Sequence, residues 1–104
     1  MELYQAEWCP HSHKVRQRLT ELGLDVTVRQ VAAEPDEREE MQAKTGTNEI
    51  PVLVVETGEA IRGEDEILAY LDERYDEQDD AEHHRAKAQL EVPEFAEVKA
   101  RTSS

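Results

Sequence analysis

The sequence predicts an α/β domain with a mixed four-stranded sheet, in the order β-α-β-α-β-β-α, and an extra C-terminal helical segment. Three stretches predict it. Leu3-Tyr4 is a short apolar run that leads through Glu7-Trp8-Cys9-Pro10 into Val15, Leu19 and Leu22, one stripe of an amphipathic helix. Val52-Leu53-Val54-Val55 is the most apolar run and is followed by the turn pair Thr57-Gly58. Gly63-Glu64-Asp65-Glu66 then opens a helix whose apolar stripe is Ile67, Leu68, Leu71 and Tyr75.

Each element has a local reason. The first strand is expected over Glu2 to Gln5, and the first helix over Pro10 to Leu22. Pro10 suits the first helical position, where its missing N–H costs nothing, and Gly23 suits the C-cap. Asp25 to Val31 reads as a second strand, with Val26 and Val28 alternating against Thr27 and Arg29. A strand–helix–strand unit of this length predicts a right-handed parallel crossover. Glu37 to Lys44 reads as a helix that packs weakly, with Met41 its one large apolar residue and Gly46 its end. Asn48-Glu49-Ile50-Pro51 leads into the apolar strand, and Ala60-Ile61-Arg62 returns antiparallel. The expected division is a domain over 1–75 and an acidic, partly helical extension over 76–104. In that extension Ala81 to Leu90 predicts a helix, Val92-Pro93 interrupts it, Phe95 and Val98 are the last apolar residues, and Thr102 to Ser104 is expected to fray.

Composition narrows the function classes. Twenty-five acidic residues against twelve basic ones give a net charge of −13. Such a field repels nucleic acid and anionic membranes, so neither is an expected partner. Arginine outnumbers lysine eight to four. That balance resembles proteins of salt-loving microbes, whose internal salt screens self-repulsion, and a halophilic archaeal source is the expectation. One cysteine excludes a disulfide within the chain. The start Met1-Glu2-Leu3-Tyr4 has no signal-peptide character and no apolar run reaches membrane-spanning length, so a reducing cytoplasm and a monomer are expected.

Cys9 is the residue that carries chemistry. A sulfur at the mouth of a strand–loop–helix unit faces the unpaired N–H groups of the helix, and these favour its thiolate. The alternative is a small buried hydrophobe, the role of most cysteines.

The motifs Cys9-Pro10-His11-Ser12, Ile50-Pro51-Val52-Leu53-Val54 and Gly63-Glu64-Asp65-Glu66-Ile67-Leu68-Ala69-Tyr70-Leu71, in this order, resemble the thioredoxin-like fold. Within it, the resemblance is to glutaredoxins and to the N-terminal domain of glutathione transferases, over roughly residues 2–75. It implies a monothiol form, because Ser12 stands where two-cysteine members hold a second cysteine. One thiol per chain leaves exchange through a mixed disulfide, released by a second low-molecular-weight thiol. The resemblance implies Cys9, Pro10 and Ser12 as the catalytic set. Ser12 either donates to the thiolate or is simply solvated on the helix. The thiol ligand falls to Trp8, His11, Ile50, Pro51, Gly63, Glu64 and Asp65. Pro51 is implied to be cis and Ile50 to lend its backbone to the cysteinyl part of glutathione. Gly63, Glu64 and Asp65 are implied to receive the γ-glutamyl end, or to cap their helix and nothing more. The co-substrate is then glutathione or γ-glutamylcysteine, with no bound cofactor, and a protein mixed disulfide is a second partner class.

There are departures from the family pattern. Glu7 stands where members hold a lysine or polar donor, which predicts opposition to the thiolate and repulsion of anionic ligands. Lys14, Arg16, Arg18, Arg38 and Arg62 are the compensating cations available, and a γ-glutamyl thiol without glycine suits the missing basic anchor. His11 as an imidazolium beside Cys9 would favour the thiolate. Rival functions remain. Cys9, His11 and His13, with His83 or His84, are too sparse for a zinc motif, so no metal is expected. An iron–sulfur carrier is disfavoured because its relatives read Cys-Gly-Phe-Ser, and conjugation to electrophiles because no all-helical second domain follows. A non-catalytic binding or regulatory module on the same fold, docking through Asp76 to Glu82, is the alternative of a different class.

Overall fold

A computed structural model of the chain describes residues 1–92. The readings made above for Pro93, Phe95, Val98 and Thr102–Ser104 lie outside the described residues. The elements are β1 (Glu2–Gln5), α1 (Pro10–Glu21), β2 (Thr27–Gln30), a 3-10 turn (Pro35–Glu37), α2 (Glu39–Thr45), β3 (Val52–Val54), β4 (Ala60–Arg62), α3 (Glu64–Arg74) and α4 (Ala81–Glu91). The sheet order is β2-β1-β3-β4, with β1 parallel to β2 and antiparallel to β3, and β4 antiparallel to β3. Leu3 pairs with Leu53 and Tyr4 with Val52, so the C-terminal end of β1 and the N-terminal end of β3 lie at one end of the sheet.

Alternation sends successive residues to opposite faces and splits the core in two. On one face Leu3 and Leu53 meet Val15, Leu19 and Leu22 of the first helical segment and Ile67 and Leu71 of α3, all buried. Each such side chain contributes roughly 1.5–3 kcal/mol when removed from water. On the other face Tyr4 and Val52 meet Met41 of α2, a smaller cluster. The weak packing expected of that helix follows from its length, Met41 and Thr45 being its buried residues.

The first helix closes on Leu22, and the N–H groups of Gly23 and Leu24 donate to the carbonyls of Thr20 and Leu19 at 3.0 and 2.9 Å. This is the double bond pattern that a glycine just past the last turn permits. Two elements depart from expectation. The second strand is shorter, Thr27–Gln30, and all four residues are exposed. Val28 shares a face with Leu3, but β2 has a single neighbour and Val28 stays 40 % exposed at the sheet edge. The helix expected from Glu37 is split, because Arg38 leaves helical geometry (φ −93°, ψ 51°). Its buried guanidinium bonds the carbonyls of Ala32, Ala33 and Asn48 at 2.7, 3.0 and 2.8 Å.

The α4 helix packs against α1. Ala81 is the only residue of α4 that is buried, so the contact is largely polar. Arg18 is its hub, with nitrogens 2.7 Å from Glu21, 2.8 Å from Asp72 and 2.6 Å from Glu77. Arg85 of α4 completes it at 2.9 Å from Glu77. The bond to Glu77, foremost, raises Arg18 above the usual guanidinium range, and the same bond lowers Glu77 below the usual carboxylate range.

Candidate functional site

β1 ends at Gln5, and a tight turn returns the Cys9 N–H to the Ala6 carbonyl at 3.1 Å. Cys9 is the N-cap of α1, extended at φ −82° and ψ 118°, and its carbonyl accepts from the His13 N–H at 3.1 Å. Pro10 occupies the first helical position, and no side chain caps the helix. The N–H groups of the first turn therefore point past Cys9 without intrahelical acceptors. Cys9 itself is 6 % exposed, while its neighbour Trp8 is 55 % exposed.

Ser12 is fully buried, which rules out the solvated alternative. Its hydroxyl has no hydrogen-bond partner, Cys9 included. The His11 side chain is engaged by a carboxylate. Its Nδ1 is 2.6 Å from Glu64 Oε1, at the first residue of α3, and Lys14 Nζ is 3.8 Å from the other oxygen. Glu64, 15 % exposed in its side chain, thus ties the N-terminal ends of α1 and α3 together.

The Ile50–Pro51 peptide bond is cis. The Pro51 carbonyl accepts from the Gly63 N–H at 2.9 Å, which joins the start of β3 to the start of α3. Among the described residues the Ile50 N–H and C=O make no backbone hydrogen bond. Gly63 adopts φ 86° and ψ 154°, a conformation that side chains other than glycine's disfavour. These pieces border an open cleft of about 470 Å3 lined by His11, Ile50, Pro51, Arg62, Gly63, Glu64, Asp65 and Glu66. Trp8, Cys9, Pro10 and Ser12 stand outside that lining, at the same end of the sheet.

The surrounding charges are mostly committed. Glu7 is 3.2 Å from Arg16, which also donates to the buried Gln5 side chain. The carboxylate expected to oppose the thiolate thus has its own cation. Lys14 is held by Glu64, Arg18 by the α4 network and Arg38 by backbone carbonyls. Arg62 lines the cleft and has no ion pair among the described residues. Glu66, part of the motif but given no ligand role there, also lines the cleft, directly after Asp65 in the same helical turn. Among the described residues no cluster of three or more His, Cys, Asp or Glu side chains is placed to hold a metal ion, and no helix is long and apolar enough to cross a membrane.

Comparison with known proteins bears on this arrangement. A glutathione S-transferase domain-containing protein from Marinobacter aquaeolei VT8 superposes with a TM-score of 0.63 at 28% identity, over 73% of this chain and 39% of its own. A glutathione S-transferase from Rhodospirillum rubrum F11 gives 0.61 at 35% identity, over 71% and 33%. One from Methylobacillus flagellatus KT, with glutathione bound, gives 0.60 at 30% identity, over 70% and 36%. The chain therefore spans a third to two fifths of the length of these structures. No curated protein matches it. The glutathione S-transferase N-terminal domain model matches residues 3–79. With its mixed four-stranded sheet in a thioredoxin-like fold, the chain belongs to the family of glutathione S-transferase N-terminal domains.

Proposed function

We propose that this chain binds a γ-glutamyl thiol, glutathione or γ-glutamylcysteine, in the cleft beside α3 and exchanges it through Cys9 as a monothiol oxidoreductase. The observation that carries the reading is the free Ile50 N–H and C=O at the rim of that cleft, at the sheet end where Cys9 begins α1. An extended cysteinyl ligand would pair with those two groups as a short added strand. Asp65 and the first N–H groups of α3 would meet the ammonium and carboxylate of the γ-glutamyl end. Glu64, held by His11 and Lys14, would orient His11 rather than touch the ligand. Arg62 would take a ligand carboxylate.

In the chemical step the Cys9 thiolate attacks the γ-glutamyl sulfur of a mixed disulfide, and the old S–S bond breaks as the new one forms, releasing the other partner as a thiolate. The departing thiolate takes a proton from water. A second γ-glutamyl thiolate then attacks the new disulfide, restores the Cys9 thiolate and leaves as the oxidised dimer. A relative holding bound glutathione supports the ligand class. The burial of Cys9 favours a second reading, a binding module that holds the thiol without exchanging it.

The test is turnover of protein mixed disulfides of each thiol in high KCl, together with binding of each reduced thiol by calorimetry. Exchange that disappears in Cys9→Ser, with binding weakened in Arg62→Gln and Asp65→Asn, is the expected result. Binding without exchange would establish the module. Absence of both would overturn the reading, and preference between the thiols names the co-substrate. Such chemistry fits a reducing cytoplasm in a salt-loving organism.

A further inference from the structure

The strand order ends in β2 on one side and in the three-residue β4 on the other, and the geometry of the β2 edge can be read bond by bond. The Thr27 N–H donates to Met1 at 3.0 Å and the Val31 N–H to Gln5 at 3.3 Å. In a parallel ladder the bonded residues alternate, so Val28 and Gln30 turn their N–H and C=O groups away from β1. β2 stands at the end of the strand order and all four of its residues are exposed, so nothing described covers that edge. Beside it runs an open groove of about 390 Å3 between β2 and the start of α2. Its floor includes Tyr4, Val31 and Met41, and its far wall carries Glu37, Glu39 and Glu40.

The charges there are lopsided. Arg29 is held by Glu2 at 2.6 Å, and Arg38 is buried against three carbonyls. Glu37, Glu39 and Glu40 are exposed and make no ion pair among the described residues. The groove thus offers unpaired backbone donors and acceptors on one side and three carboxylates without an ion pair on the other, of which Glu40 feels the charge of Arg29. A second copy of this chain is a poor occupant, since two bodies of net charge −13 repel. An acidic or neutral segment would leave the carboxylates unanswered.

We propose that the β2 edge is a docking strand for an extended, basic segment of a partner protein, which adds as a fifth strand with lysines or arginines facing Glu37, Glu39 and Glu40. Four residues at about 3.3 Å each offer roughly 13 Å of ladder, which suits a segment of four to six residues. Backbone pairing supplies affinity and the acidic wall supplies selectivity. The proposal is independent of what Cys9 does.

The probe is a fluorescein-labelled hexapeptide of alternating Lys and Val, followed by anisotropy at the lowest KCl that keeps the native circular dichroism. A Glu/Val peptide and a Lys/Val peptide N-methylated at alternate amides are the comparisons. Val28→Pro removes an outward N–H and leaves the bonds to β1, so it should weaken binding about fivefold, the loss of one net hydrogen bond. Glu39→Gln/Glu40→Gln should weaken it about tenfold at low salt and by little at high salt. The Glu/Val and N-methylated peptides should fail to bind the wild-type chain, a result that stands even if Val28→Pro does not fold. No binding by the Lys/Val peptide, equal binding by all three peptides, or a chain that dimerises through this edge in sedimentation would each overturn the proposal.

Discussion

Replacing Ser12 by alanine should make the ligand-free protein more stable. The Ser12 hydroxyl is fully buried at the third position of α1 and has no hydrogen-bond partner. Burying a hydroxyl without a partner costs roughly 1–3 kcal/mol on the scale of protein mutations. Alanine removes that cost and adds a few tenths of a kcal/mol of helix propensity. Against this stands the space left by one oxygen, which at about 24 cal/mol per Å3 offsets a few tenths. The net expectation is a gain of about 1 kcal/mol, or about 4–8 °C in Tm for a domain of this size. The assay is urea unfolding at one fixed KCl concentration, with the midpoint raised and the m-value unchanged. A loss of about 1 kcal/mol or more would show that the hydroxyl has a partner in solution, and the reasoning would fail. Thiol exchange measured on the same variant supplies the second half. If exchange slows while stability rises, the hydroxyl is held unpaired for a sulfur that arrives with the ligand, a trade between stability and activity.

Other consequences can be checked as directly. Ile67→Ala empties a fully buried position between α3 and the sheet and should cost about 2–5 kcal/mol by urea unfolding. At Gly63 an added Cβ would meet nothing within 4 Å, so Gly63→Ala should cost about 1–3 kcal/mol through backbone strain alone; a stability unchanged by the substitution would show that φ 86° is not kept. Glu77 is held below its ordinary value of 4.5 by the bond to Arg18. Below that value the unfolded chain binds the extra proton first, so the pair's contribution is full above about pH 4.5 and is lost as pH falls through the folded value. The drop in urea midpoint from pH 7 to pH 3.5 should therefore be smaller in Arg18→Gln than in the wild type. With a net charge of −13, added KCl should raise Tm, and indifference to salt would count against self-repulsion as a force that opposes the fold.

The sheet, the helices and their order could be read from sequence because each rests on a local signal. Val15, Leu19 and Leu22 mark one helical face, Pro10 its start, and Gly23 and Gly46 the ends of two helices. The signals failed where tertiary context decides. Alternation at Val26 and Val28 describes a strand with two faces but says nothing of how many neighbours it has, so the exposed edge was invisible. Arg38 is offered by the sequence as a compensating cation, yet three carbonyls brought from either side of it hold it and end the 3-10 turn there. In the site, Ile50, Pro51, Gly63 and Asp65, far apart in sequence, line one cleft. The His11–Glu64 contact joins residues 53 apart and leaves no local trace. The burial of Ser12 does have a local signal, since it lies three residues before Val15 on the buried stripe of α1.

The ionic hub at Arg18 sets where the chain can be cut. The family match stops at residue 79, which keeps Glu77 but discards Arg85. A fragment ending at Tyr75 loses both, and Arg18, only 21% exposed in its side chain, keeps just Glu21 and Asp72. The Gln78 N–H, which donates to the Glu21 carbonyl at 3.1 Å, goes with them and leaves the last turn of α1 a bond short. The segment after the last core helix therefore works as a buttress for the first one. A piece ending at Tyr75 that retains every residue of the cleft would still be expected to loosen at its opposite end.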